Sequence, residues 1–205
     1  MRKEFHVITT GKQPVNQLVS IASTIYPYVD AIHLREKTKT AKELAEIVSA
    51  LIEKGVPREK LMINDRVDVA VAFQLKGVQL AYHSLQAKLV KQSFPNLRVG
   101  CSVHSIEEAK QAEQEGADYL IYGHVFETSC KPSLAPRGLM ELERLIKEVR
   151  IPVVAIGGIK QDNVEHILQV GADGIAVMSG VFLANNPAFA AKAYRSLIRK
   201  ERTNV

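Results

Sequence analysis

The chain has 205 residues, 46% of them hydrophobic and 24% charged, with a formal net charge of +5. That length and balance suit one soluble domain with a sizeable core, no run approaches the ~20 apolar residues of a membrane span, and Met1-Arg2-Lys3-Glu4 leads into a strand without a signal-peptide core. Cys101 and Cys130 lack metal-ligand spacing, so reduced thiols in a cytoplasmic protein are expected, and Arg195, Arg199, Lys200 and Arg202 read as a solvated face, since no aromatics interleave with them as a nucleic-acid surface would require.

Short apolar runs alternate with longer amphipathic stretches along the chain. Phe5 to Thr9 reads as a strand and Pro14 to Ile25 as a helix with Val15, Leu18, Val19 and Ala22 on one face. Ala31 to Arg35 is the second strand. Thr40 to Lys54 is a helix opened by a Thr40/Glu43 capping box and stopped at Gly55. Leu61 to Asn64 is the third strand, followed by a short helix over Val67 to Phe73. Gly77 to Ala81 and then a helix around Leu85 to Gln92 make the fourth pair. Arg98 to Val103 precedes a helix opened by Ser105 and Glu108 as a second capping box and closed at Gly116. Tyr119 to Val125 is the sixth strand. The longest loop, Phe126 to Arg137, leads to a helix over Gly138 to Val149. Pro152 to Ile156 and Gly174 to Met178 are the last strands, with a helix around Asn163 to Val170 between them and another from Pro187. Eight βα units without a dividing linker predict an α/β, single-domain (β/α)8 TIM barrel over 1–205. An open doubly wound sheet is the alternative, but Thr9-Thr10-Gly11-Lys12 stands where its Gly-x-Gly-x-x-Gly would be.

Chemistry in such a barrel sits at the C-terminal strand ends. Strands seven and eight end in Gly157-Gly158 and in Met178-Ser179-Gly180, small residues that leave backbone N–H groups open to a phosphate. Other strands end in polar residues: His33-Leu34-Arg35, Asn64-Asp65-Arg66, Ser102-Val103-His104 and Tyr122-Gly123-His124. Among the histidines, His6 reads as structural, His166 as solvated and His33 as a satisfied core group. His124, beside the longest loop, is the acid/base candidate, set to face the same way as Leu120 and Tyr122. Asp65 alone offers a carboxylate for a metal, and no metal cluster stands out.

These segments in order resemble the thiamin phosphate synthase superfamily over nearly the whole chain. The matching runs include Leu34-Arg35-Glu36-Lys37, Asn64-Asp65-Arg66, Gly77-Val78-Gln79-Leu80, Ser102-Val103-His104-Ser105 and Ala155-Ile156-Gly157-Gly158-Ile159. The synthases carry a Gly-Gln-x-Asp stretch after strand four, whose Asp helps bind the Mg²⁺ that escorts a pyrophosphate leaving group. Here the stretch is Ala81-Tyr82-His83-Ser84, so Ser84 replaces that Asp. Gly123-His124-Val125-Phe126-Glu127-Thr128 is similar to the TenI branch, the thiazole tautomerases.

The resemblance implies a cofactor-independent, metal-free isomerase of thiamin biosynthesis. It would aromatise a carboxythiazole phosphate by a 1,3-proton shift, with His124 as the catalytic acid/base. Gly158, Met178, Ser179 and Gly180 would hold the phosphate beside the Thr128-Ser129-Cys130 loop. Arg35 and Lys131 would meet the carboxylate, positions that synthases use for the pyrimidine pyrophosphate, and Asn64 and Ser102 would add polar contacts. A Mg²⁺-dependent thiamin phosphate synthase, retaining Asp65 and Lys131, and a non-catalytic phosphate-ligand regulator stand as alternatives. The small thiazole phosphate is the expected partner, with no nucleic acid or membrane, and pairing into a homodimer stays open.

Overall fold

The computed structural model describes residues 2–128 and 135–200. Eight strands close into a barrel in chain order: β1 (Glu4–Ile8), β2 (Ala31–Leu34), β3 (Leu61–Asn64), β4 (Gly77–Leu80), β5 (Arg98–Val103), β6 (Tyr119–Gly123), β7 (Val153–Ile156) and β8 (Gly174–Val177). Each neighbouring pair is parallel, and β8 returns to β1 with Phe5 opposite Ile175. The TIM barrel expected from the repeated units is the architecture observed.

The helices are α1 (Val15–Ile25), α2 (Ala41–Glu53), α3 (Val67–Ala72), α4 (Ala87–Ser93), α5 (Ile106–Gln114), α6 (Gly138–Glu148), α7 (Val164–Gln169), α8 (Ser179–Phe182) and α9 (Pro187–Lys200). The one-turn α8 was not foreseen. It continues directly from β8, too short to show a helical period. Among the described residues no helix is long and apolar enough to cross a membrane.

The caps behave as local chemistry dictates. Thr40 and Glu43 exchange both bonds of their capping box, Glu43 N–H to Thr40 Oγ1 at 3.3 Å and Thr40 N–H to Glu43 Oε2 at 2.8 Å. Ser105 accepts from the Glu108 N–H, but the Glu108 carboxylate reaches one residue further back, to the His104 N–H at 2.6 Å. The second box is therefore only half formed, and His104 is drawn into the cap.

Strands covered on both faces sort their residues by parity. One face joins the core between barrel and helices, with Phe5, Val7, Ile32, Leu34, Leu120 and Tyr122 among its members. The other fills the barrel interior with Ile8, Ala31, Met62, Tyr119, Ile121, Val154 and Ala176. Arg195 departs from the solvated reading of the last helix. It is buried, its guanidinium bonded to the Tyr28 carbonyl at 2.7 Å and to Asp30 Oδ2 at 2.5 Å, tying α9 to the start of β2. Charge on a helix is a weak guide to exposure when a carboxylate waits beneath it.

Candidate active site

Inside the barrel an apolar lining gives way to a polar ladder. Arg98 donates to Glu4 Oε2 at 2.9 Å, and the same oxygen meets His6 Nε2 at 2.7 Å. His6 Nδ1 in turn lies 3.0 Å from His33 Nε2. Burial raises and these partners lower the Glu4 pKa, and the partners win, so the carboxyl lies well below its usual range. An ionised Glu4 accepts only, so the facing His6 nitrogen carries the proton and its other nitrogen accepts from His33. Burial holds both imidazoles neutral, their pKa values depressed below 6.5. His6 is structural, as expected. His33 is only half satisfied, because its Nδ1 has no hydrogen-bond partner.

The C-terminal rim holds the expected polar ends. Arg35 is the first residue beyond β2, and its N–H is fixed by Thr9 Oγ1 at 2.9 Å. Asn64 closes β3 with its Oδ1 buried and unpartnered. Asp65 follows in the left-handed conformation, φ 67°, which Asp tolerates better than most residues. A cleft of about 190 Å³ between these ends is lined by Arg35, Lys37, Lys39 and Arg66 against the carboxylates Glu36 and Asp65. The cationic excess suits an anion with more than one charge.

Asp65 is the point where a magnesium ion would be tested. Such a site takes one or two carboxylates, with water and phosphate oxygens completing the octahedron. Ser84 Oγ donates to Asp65 Oδ1, and His83 Nε2 lies 3.4 Å from Oδ2. Among the described residues no group of three or more His, Cys, Asp or Glu could hold a metal. The side chains present do not fit the two-carboxylate site that the resemblance attributes to synthases. Ser84→Asp should restore it: two adjacent carboxylates repel, and a divalent cation relieves the repulsion. Calorimetric titration with Mg²⁺ should give a saturable signal in Ser84→Asp and none in the wild type. Equal signals would count against this account.

At the other side of the rim, the glycines behave differently from the sequence expectation. The cradle reading took the small residues as openings for a ligand. A Cβ at Gly157 would lie 2.4 Å from His124 Cβ, and one at Gly158 would lie 2.3 Å from the Glu127 carbonyl oxygen. A Cβ at Gly180 would lie 2.7 Å from the Tyr194 hydroxyl. Protein fills the Cβ side of Gly157 and Gly158, whereas Ser179 and Gly180 remain exposed. The segment after β6 is laced onto the end of β7, Val125 N–H to Ile156 O at 2.9 Å and Phe126 N–H to Gly157 O at 3.0 Å. Ser179 and Gly180 open α8, so their N–H groups lack intrahelical acceptors. Met178 is half-buried against the barrel interior.

His124 lies just beyond β6 and is 4% exposed. The expectation that it faces with Leu120 and Tyr122 toward the site does not hold for that parity: both belong to the outer core, and Tyr119 and Ile121 point inward. Thr128 ends the described segment. Ser129, Cys130 and Lys131 lie outside the described residues. Cys101 is inert, since burial pushes its thiol up to about 12. Sequence reasoning missed Gln79 and Tyr119 as interior polar groups. Gln79, a lone polar residue inside an apolar strand at the inward parity, was the available signal.

The family model described as "Thiamine monophosphate synthase", TMP-TENI, matches residues 5–181. The thiamine-phosphate synthase of Pyrococcus furiosus is 37% identical over 194 residues, 94% of each chain. That of Chloroflexus aurantiacus is 40% identical over 192 residues, 93% of this chain and 82% of the relative. Among solved structures, a thiamine phosphate pyrophosphorylase from Pyrococcus furiosus superposes with a TM-score of 0.84 at 37% identity, covering 97% of this chain and 96% of that one. These relatives overturn the expectation of a thiazole tautomerase and of isomerase chemistry, and His124 loses the proton-shuttle role that rested on it. The family match runs from β1 into α8, so it spans all eight strands and their rim ends, and the chain belongs to the TMP-TENI, thiamine monophosphate synthase, family.

Proposed function

We propose that this chain is an enzyme of thiamin biosynthesis that joins a hydroxymethylpyrimidine pyrophosphate to a thiazole phosphate. The thiazole nitrogen forms a bond to the pyrimidine methylene carbon. The carbon–oxygen bond to pyrophosphate breaks, and its electron pair leaves with the pyrophosphate. The observation that carries this reading is the cationic cleft at the ends of β2 and β3, where Arg35, Lys37, Lys39 and Arg66 outnumber Glu36 and Asp65. Charge that grows on a leaving pyrophosphate is best met by cations already in place. Lys39 is paired with Glu43 and Arg66 with Asp68, whereas Arg35 and Lys37 have no ion-pair partner among the described residues. Arg35, the first residue beyond β2 and a planar fork of donors suited to phosphate oxygens, is the side chain assigned to the leaving group, with Asn64, Ser102 and Lys131 as further contacts. Ser179 and Gly180, whose N–H groups open α8, are assigned to the thiazole phosphate together with Met178, Thr128, Ser129 and Cys130. The names of the relatives support the same reaction.

The test is a condensation assay with both substrates in Mg²⁺ buffer, reading thiamin phosphate. The wild type should form product. Arg35→Ala should lower kcat/KM by about 10–100-fold, the worth of one hydrogen bond to a charged group. A folded wild-type protein that forms no thiamin phosphate would overturn the proposal.

A further inference from the structure

Gln79, Gly100 and Tyr119 stand side by side on β4, β5 and β6, in one layer of the barrel. The middle position is empty of side chain, and that absence is used. A Cβ at Gly100 would lie 2.2 Å from Tyr119 Cζ and 2.4 Å from both the Tyr119 hydroxyl and Gln79 Oε1. Tyr119 therefore reaches across β5 and donates its hydroxyl to Gln79 Oε1 at 2.6 Å. The other end of the amide, Nε2, donates to Ser102 Oγ at 3.0 Å. Ser102 sits two residues above Gly100 on the same face of β5, toward the C-terminal rim.

The far end of this chain is anchored as well. The Arg98 guanidinium carbon lies 4.5 Å above the Tyr119 ring, and Arg98 is held by Glu4. The His6 ring meets Tyr119 edge-on at 5.5 Å between centroids. Tyr119 is fully buried. Its phenol has no water to bond, so Gln79 is its hydrogen-bond outlet.

A serine hydroxyl has one proton and two lone pairs. With Gln79 donating to its oxygen from below, the Ser102 proton is left for an acceptor on the rim side. We propose that Tyr119 and Gln79 are positioning residues that turn the Ser102 hydroxyl toward the rim as a donor to an anionic oxygen of the pyrophosphate substrate. The proposal rests on the synthase reading, which assigns Ser102 to substrate. It adds that the donor direction of Ser102 is set from inside the barrel, by side chains that never touch the ligand.

A double-mutant cycle tests it, with inorganic pyrophosphate binding read by calorimetry and kcat and KM read in the condensation assay. Ser102→Ala should weaken pyrophosphate binding about tenfold, in the range of one hydrogen bond to a charged group. Gln79→Leu should weaken it by a similar factor and raise KM more than it lowers kcat. Added to Ser102→Ala, Gln79→Leu should cost less than a further twofold. A merely structural Gln79 gives losses that multiply, and that result overturns the proposal. Should Gln79→Leu fail to fold, Tyr119→Phe removes one oxygen, keeps the ring and carries the same cycle. No thiamin phosphate from the wild type overturns the synthase reading. Product from the wild type with multiplying losses overturns the positioning role alone.

Discussion

Alanine or valine at position 158 should destabilise the barrel, rather than merely weaken ligand binding. Gly158 holds φ 66°, a left-handed backbone that costs a side-chain-bearing residue about 1–2 kcal/mol. Its Cβ would also meet the Glu127 carbonyl oxygen at 2.3 Å and the Phe126 carbonyl carbon at 2.8 Å. These are backbone atoms of a segment already bonded to the end of β7, so they cannot swing aside as a side-chain tip would. Overpacking of that kind costs about 1–3 kcal/mol, and the two effects together come to about 2–5 kcal/mol. Urea unfolding should show the loss in Gly158→Ala, with Gly158→Val at least as severe. A variant of wild-type stability with weakened phosphate binding would restore the simpler view of Gly158 as an open cradle.

That contrast marks where the sequence is legible and where it is not. Alternation of short apolar runs with amphipathic stretches is a local signal. It located every strand from Phe5 onward, and the closed order β1 to β8 follows from repeated right-handed crossovers. The polar strand ends were legible for the same reason: a residue such as Asn64 at the end of an apolar run has a fixed place in a barrel. The reason for a small residue was not legible. Gly157 and Gly158 look alike whether they admit a ligand or the chain segment after β6, and only the packing tells these apart. Interior contacts across strands were equally hidden. Gly100 reads as a weak strand residue until Tyr119 and Gln79 are seen to meet over it. Branch identity was harder still, because the run Gly123-His124 suggested one chemistry while the relatives across the whole chain carry the name of another.

Stability should fall steeply as the pH drops below about 6.5, before the surface carboxylates titrate. His6 and His33 are fully buried, and burial is the largest influence on each, depressing both pKa values. For His33 the neighbouring His6, Lys76 and Arg98 push the same way, and only Glu4 opposes them. For His6 the Glu4 contact raises the pKa, yet the net shift remains downward. The unfolded chain therefore binds a proton at each imidazole near pH 6.5, while the folded chain does not. More protons on the unfolded side means that stability rises with pH and is lost as the pH falls through this window. Each histidine contributes at most ~1.4 kcal/mol per pH unit, so ~2.7 kcal/mol per unit is the ceiling for the pair between pH 6.5 and the depressed folded-state values. Below about pH 4.5, Glu4 and Asp30 add to the loss with the same sign, because partners in the fold hold both carboxyls below their ordinary pKa values. Urea unfolding at pH 7.5, 6.0 and 5.0 reads the slope. His33→Gln can still donate to His6 Nδ1 but does not titrate, so it should reduce the slope by about half. A wild-type stability that stays flat from pH 7.5 to 5.0 would show that the two imidazoles take up protons inside the fold, and the neutral ladder from Glu4 through His6 to His33 would have to be redrawn.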